Sequence, residues 1–170
     1  MSLAVSKGVD SHLINLLSKS APLPDKTKLN QVGYNWAKKL IHDKKINTGK
    51  WDWDTDAENE LLGDPENWDE YSKWFLAIDE NANPQTKKRY HFPIGKAGEV
   101  YLHALAGDES RAAANGHPEI QSAAHTLFKL AEAMQKIISQ EQYLTHMYLA
   151  LGKLNDDKIV ADIINKIERR

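Results

Sequence analysis

Apolar side chains recur at three- and four-residue intervals over most of the chain, a spacing typical of one face of an α-helix. Leu29, Val32, Trp36 and Leu40 mark such a face, and lysines occupy the opposite side of the same stretch. This spacing predicts helices over 10–19, 25–42, 97–115, 118–138, 139–151 and 155–170. Gly63 can end a further brief helix, which is predicted over 54–62.

Two short stretches depart from helical spacing and have the composition of strands. Residues 73–79 are apolar and β-prone, and residues 88–94 alternate aromatic or apolar positions with polar ones. The connection at 81–85 is rich in turn-forming residues. We therefore predict one antiparallel hairpin, with Pro93 at a sheet edge because proline has no N–H to donate.

The order of these elements predicts the fold class and the domain organisation. Residues 44–53 are expected to form a loop or a short extended piece, and residues 64–70 a turn. The fold is then α+β and predominantly α-helical, with about six helices and one small antiparallel β-hairpin. We expect a single compact domain over 1–170, in which a Trp-rich α/β part at about 8–96 packs on a helical part at about 97–170.

Composition limits the cellular setting. The 170 residues include no cysteine, so the chain can form no disulfide and no thiolate metal site. No apolar run approaches the roughly 18 residues of a membrane span, and the N-terminus lacks the apolar core of a signal peptide. We expect a cytoplasmic protein that does not bind membranes.

The net charge of −2 conceals a strong segregation of charge along the sequence. Residues 1–50 carry a net charge of +6, whereas residues 51–85 carry −10. Either the basic N-terminal helices pack beside the acidic segment, or the asymmetry steers a charged partner.

All five tryptophans fall within 39 consecutive positions, from Trp36 to Trp74. One interpretation is a small core between the second helix and the hairpin, because tryptophan is mostly buried. The other is an aromatic contact surface for a partner. Trp, Tyr and Arg dominate the energetics of interfaces. The candidate partner-binding residues are therefore Trp51, Trp53, Trp68, Arg89 and Tyr90.

A basic and aromatic cluster supports an alternative hypothesis, a nucleic-acid-binding module. Its candidate residues are Lys87, Lys88, Arg89, Tyr90 and Phe92, in which cations would hold phosphates while rings stack on bases. The dense acidic segment nearby argues against a basic groove, so we expect a protein partner rather than nucleic acid.

The chain offers no recognisable catalytic or metal motif. The alternating acids of WDWDTD resemble the start of a calcium loop, but Ala57 and Gly63 stand where an EF-hand needs Gly and Glu. The seven histidines show no metal-ligand spacing, and the Gly95–Gly98 segment lacks the spacing of a phosphate-binding loop. We expect no metal, no cofactor and no assigned catalytic residue. An enzyme with an unrecognised site remains the third hypothesis.

One longer stretch resembles a known kind of sequence. An aromatic-Pro strand leads through RYHFPIGKAGEVYLHAL into a helix, and an Ala-rich helix, EIQSAAHTLFKLAEA, follows. This order, together with VGYNWAKKLIHDKKI, is similar to a module of phage and prophage proteins found beside prohead-protease-type capsid-assembly genes. The similarity covers about residues 32–130. The chain departs from it at Gly107 and Asp108, where the helix is expected to kink or end early.

The resemblance implies a setting in assembly, and it carries over no catalytic residue. We therefore expect a non-enzymatic, prophage-derived structural or assembly-associated protein that acts by protein–protein contact, with a phage assembly component as its partner. The small residues of 118–138 permit close packing within the chain or against a second copy, so the helical part could support an oligomer.

Overall fold

The structure is a computed structural model that describes residues 23–24 and 26–156, with side chains to residue 150. Five α-helices lie in this range: α1 (Gln31–His42), α2 (Thr55–Leu62), α3 (Trp68–Ser72), α4 (Leu102–Ala114) and α5 (Pro118–Asp156). The six strands are β1 (Thr27–Leu29), β2 (Ile46–Asn47), β3 (Phe75–Asp79), β4 (Tyr90–Pro93), β5 (Gly95–Lys96) and β6 (Glu99–Tyr101). A 3-10 turn, Lys87–Arg89, precedes β4. The predicted helix over 10–19 and all of the last helix beyond Asp156 fall outside the described residues.

The α+β class and the predominance of helix are confirmed, but the prediction of a single hairpin is wrong. The strands form two three-stranded sheets, with orders β1-β3-β4 and β2-β6-β5. The predicted antiparallel hairpin is the β3–β4 pair, in which Ala77 lies opposite His91. Within the described residues, the second sheet and the strand β1 are additions that the periodicity did not predict.

The second sheet arises where the sequence predicted the start of a helix. Ala97 and Gly98 form a two-residue turn with φ of 53° and 81°, between the paired residues Lys96 and Glu99. Positive φ at both central residues is the signature of the tight turn that suits the twist of a β-hairpin. The chain therefore reverses as a β5–β6 hairpin, and the predicted helix over 97–115 begins only at Leu102.

Strand β1 shortens the second predicted helix. Thr27–Leu29 pairs antiparallel with Ala77–Asp79 of β3, so these three residues of the predicted helix are extended. Helix α1 then begins at Gln31. A three-residue strand is fixed by its tertiary partner, which local spacing does not reveal.

Helix α5 is continuous where the sequence predicted two helices. The Ser139 hydroxyl donates to the carbonyl of Gln135 in the preceding turn, at 3.0 Å, instead of capping a new helix. Helix α4 likewise passes through Gly107 and Asp108 and ends at Ala114, so it does not end early at these residues.

The brief helix α2 forms as predicted because both of its ends carry clear local signals. The Asp54 carboxylate accepts a hydrogen bond from the Ala57 amide at 2.9 Å, and Gly63 ends the helix at a φ of 78°. Helix α3 lies in the segment predicted as a turn, and the Asn67 side chain caps it.

The chain divides into two units, whose described parts are residues 23–131 (without position 25) and 132–156. The first holds both sheets and the buried core. The second is the C-terminal part of α5, where Ile137, Leu144 and Tyr148 are exposed.

Helix α1 is joined to the start of β3 by a buried polar contact and a close backbone approach. The Asn30 side-chain amide donates to the carbonyls of Ser72 and Phe75, each at 2.8 Å, and its backbone N–H donates to Leu76 O at 2.8 Å. One turn later, a Cβ at Gly33 would lie 2.0 Å from the Phe75 carbonyl oxygen. Only glycine permits this approach.

We expect opposite effects from the same substitution at two helical glycines. Gly33→Ala should lower the free energy of unfolding by about 1–3 kcal/mol, because the new methyl group overlaps the Phe75 backbone. Gly107→Ala in α4 should raise it by up to about 1 kcal/mol, because nothing lies within 4 Å of the added Cβ and alanine favours helix. Chemical denaturation of the two variants measures both changes. Similar values for both would contradict the close approach at residue 33.

Candidate functional site: an aromatic cleft

The first unit contains a cleft of about 700 Å³ between the segment at 51–53, strand β4 and helix α4. Five aromatic side chains line it: Trp51, Trp53, Phe75, Tyr90 and Phe92. Four polar side chains join them: Glu58, His91, Ser110 and Arg111. We refer to this site as the aromatic cleft. An apolar cavity with a few convergent polar groups is the usual form of a ligand site.

Trp51 and Trp53 form one wall of the aromatic cleft. Their rings stack with centroids 5.6 Å apart and planes 20° apart, and both side chains are half-buried. Trp51 also packs on Tyr101 at 5.0 Å, and Trp53 meets Phe75 edge-on at 5.8 Å. The wall therefore rests on β3 and β6 while part of each indole stays exposed.

A salt bridge holds this wall in place from the second sheet. Lys96 Nζ donates to the Asp52 carboxylate at 2.6 Å and to the Asp52 carbonyl at 3.0 Å, and it lies 5.9 Å from the Trp51 ring centroid. The side chain of Asp52, the residue between the two tryptophans, is therefore bonded to β5. The pKa of Asp52 is lowered, chiefly by the hydrogen bond from Lys96.

Phe92 supplies the facing aromatic ring from a strained backbone. Its φ is 62°, in the left-handed region that a bulky residue rarely adopts, and its side chain is buried. Such a conformation costs about 1–3 kcal/mol and persists only when the surroundings fix it. Strained residues of this kind cluster at ligand sites.

Arg111 is fixed in the aromatic cleft by two contacts. Its Nη2 donates to Oδ1 of Asp108 one turn earlier in α4, and its guanidinium carbon lies 5.3 Å from the Phe92 ring centroid. The side chain of Arg111 keeps 41% of its surface exposed. The guanidinium is thus oriented and partly open to the cleft.

Asp108 is fully buried, and its Oδ2 has no hydrogen-bond partner among the residues that the structure describes. Burial raises the pKa of this carboxyl to about 7, although Arg111 acts in the opposite direction. Burial thus opposes the ionisation of Asp108, while the guanidinium beside it favours that ionisation.

His91 and Glu58 complete the polar lining. Burial lowers the pKa of His91, so the ring is neutral at pH 7, and its Nε2 lacks a partner among the described side chains and backbone groups. Glu58 accepts a hydrogen bond from the Tyr71 hydroxyl at 2.8 Å and lies 3.7 Å from Lys87 Nζ. Burial, and then Glu58, raises the pKa of the Tyr71 phenol, which keeps its proton.

The structure brings together three of the five residues predicted to bind a partner, because Trp51, Trp53 and Tyr90 all line the aromatic cleft. Trp68 stacks on Tyr90 at 6.3 Å without lining the cleft. Arg89 donates to the carbonyls of Asp79 at 2.9 Å and of Ala82 at 2.7 Å, so it closes the β3–β4 loop.

Most of the residues proposed to bind nucleic acid make hydrogen bonds within the protein instead. Lys87 donates to the Asn59 side chain beside Glu58, whereas Lys88 is exposed. Tyr90 is buried, with its hydroxyl bonded to the Pro84 carbonyl at 2.8 Å.

The polar residues of the aromatic cleft were not predicted from the sequence. Arg111 lies about 20 residues after β4 and reads as the solvent side of an amphipathic helix. The available signal was its spacing of three residues from Asp108, an acid within the same predicted helix.

The acidic segment lines a second, shallower hollow of about 550 Å³, with Asp54, Asp56, Glu60 and Glu70 facing Lys96. Among the described residues, no three potential metal ligands converge. None of the described helices combines the length and apolar character that a membrane span requires. Comparison of the chain with family models, curated proteins and solved structures gave no match.

The buried carboxyl gives a pH test of this geometry. The ordinary pKa of Asp108 is 3.8 and its folded-state pKa is about 7, so the folded state holds the proton more tightly than the unfolded state does. The free energy of unfolding should therefore fall between about pH 4 and pH 7, by at most about 1.4 kcal/mol per pH unit from this group. In Asp108→Asn this contribution should be absent.

The measurement is chemical denaturation of both proteins at several pH values. The difference in unfolding free energy, Asp108→Asn minus wild type, should grow as pH rises through this window. A constant difference would mean that Asp108 is already ionised in the folded protein at pH 4.

Proposed function

We propose that this protein is a non-enzymatic binding protein that contacts a partner polypeptide through the aromatic cleft. In this proposal the cleft receives an apolar or aromatic side chain of the partner. The observation that carries it is the half-buried, stacked pair Trp51 and Trp53, which leaves indole surface open beside a cavity of about 700 Å³.

The composition of the lining supports a protein partner. Trp, Tyr and Arg are the residues that contribute most to protein–protein binding, above all where they surround a pocket that receives a partner side chain. The volume lies within the range of about 300–1,000 Å³ typical of sites that bury a compact ligand. Aromatic walls also lose little conformational entropy on binding.

The polar groups of the cleft support binding rather than catalysis. The Ser110 hydroxyl donates to the Ala106 carbonyl of its own helix at 3.0 Å, so it is not paired with a base. Tyr71 is held protonated and Glu58 is occupied by its hydroxyl. The resemblance to a phage module supplies the proposed setting, in which the partner is a component of phage assembly.

Selection of peptides tests the proposal directly. A random peptide library displayed for binding to the wild-type protein should enrich sequences that contain an aromatic or large apolar residue. Their affinity should fall about 10- to 100-fold for Trp53→Ala, because truncating a central aromatic residue costs about 1–3 kcal/mol or more. Isothermal titration calorimetry with the selected peptides measures the change.

Trp36→Ala is the matched control, because Trp36 is also half-buried but packs on Trp74 and does not line the cleft. This variant should bind the selected peptides as the wild type does. Equal loss in both variants, or peptides that bind Trp53→Ala with unchanged affinity, would refute binding in the aromatic cleft.

A further inference from the structure

We propose that the aromatic cleft recognises a carboxylate that adjoins an aromatic ring, with Arg111 as the carboxylate-binding residue. This inference rests on the proposed function and adds the chemistry of the bound group. Within that group, the ring would pack against the Trp51–Trp53 wall and the carboxylate would pair with the guanidinium.

The geometry of Arg111 is the first argument. A guanidinium has five N–H donors, and within the described residues Arg111 uses Nη2 alone, for Asp108. The contacts with Asp108 and with the Phe92 ring restrict the movement of the guanidinium. A fixed planar fork matches the two oxygens of a carboxylate.

The charge of the site is the second argument. Among the described residues that line the cleft, Arg111 is the only lysine or arginine, and His91 is neutral. Asp108 is fully buried, and its burial opposes the ionisation that would balance the charge of Arg111. The other acidic group, Glu58, accepts a hydrogen bond from Tyr71 and lies near Lys87, which partly balances its charge.

A low-polarity environment strengthens this pairing. Most side chains that line the cleft with Arg111 are apolar or aromatic, among them Phe92, Pro93, Ala104 and Trp53. An ion pair beside such groups is screened less than one at an open surface. Arg111 would therefore favour an acid over the neutral amide of the same shape.

Two small probes that differ only in charge test the inference. N-acetyl-phenylalanine and N-acetyl-phenylalaninamide carry the same ring, and only the first carries a carboxylate. Quenching of protein tryptophan emission, excited where phenylalanine does not absorb, measures the binding of each. The acid should bind about 10- to 100-fold more tightly, the usual contribution of a hydrogen bond to a charged group.

Variants of Arg111 then assign the preference to this residue. Arg111→Gln should abolish the preference for the acid while leaving the affinity for the amide within about threefold. Arg111→Lys keeps the charge without the planar fork and should retain part of the preference. Lys88→Gln, which removes an exposed cation outside the cleft, should behave as the wild type. Thermal unfolding of each variant establishes whether it is folded. If Arg111→Gln does not fold, a reduced preference for the acid in Arg111→Lys provides the test.

A third probe distinguishes the source of the carboxylate in a polypeptide. N-acetyl-Phe-Asp-amide places the acid on a side chain rather than at the C-terminus. An Arg111-dependent gain for this probe alone identifies an acidic side chain, and a gain for N-acetyl-phenylalanine identifies a C-terminal carboxylate; each supports the inference.

Two results would overturn the carboxylate inference, and only the second would also refute the proposed function. If neither N-acetyl-phenylalanine nor N-acetyl-Phe-Asp-amide binds more tightly than N-acetyl-phenylalaninamide, and Trp53→Ala weakens all three, the carboxylate inference fails and the proposed function stands. If no probe binds in a manner that depends on Trp53, the inference and the proposed function fail together.

Discussion

The junction between α1 and β3 is the constraint on which the rest of the fold depends. The Asn30 amide donates to the Ser72 carbonyl at the end of α3 and to the buried Phe75 carbonyl at the start of β3, and Gly33 lets the helix backbone come within reach of the same strand. An unpaired buried carbonyl is costly, so this contact fixes where β3 begins. Since β3 is the central strand of its sheet, its start also sets the register of β1 and β4, and with β4 one wall of the aromatic cleft.

The aromatic cleft combines two features that reduce stability on their own. Phe92 has a backbone conformation that a bulky side chain avoids, and Asp108 places a carboxyl in the core with one oxygen unpaired. Arg111 connects them, because it pairs with Asp108 and lies over the Phe92 ring. Proteins tolerate such local costs where a site needs a fixed geometry. These costs are the physical reason for proposing the cleft, rather than the acidic surface, as the binding site.

Local signals predicted part of this structure, and tertiary context decided the rest. Helix α2 and the β3–β4 hairpin were predictable because a cap, a terminal Gly63 and β-prone residues act over a few positions. The β5–β6 hairpin was not, because Ala97 is an unusual residue at a positive φ and Gly98 fits a helix start equally well. The same division holds for the cleft. Aromatic density identified Trp53, but Arg111 reaches the site only through the packing of α4 against β4.

The left-handed φ of Phe92 changes what β4 can present. In a regular strand successive side chains point to opposite faces, so a four-residue strand offers only two of them to any one surface. All four residues of β4 line the aromatic cleft. The left-handed φ of Phe92 interrupts that alternation, and one short strand brings a phenol, an imidazole, a phenyl ring and a pyrrolidine to the border of a single cavity. A change that restored ordinary pleating would turn part of this strand away from the cavity.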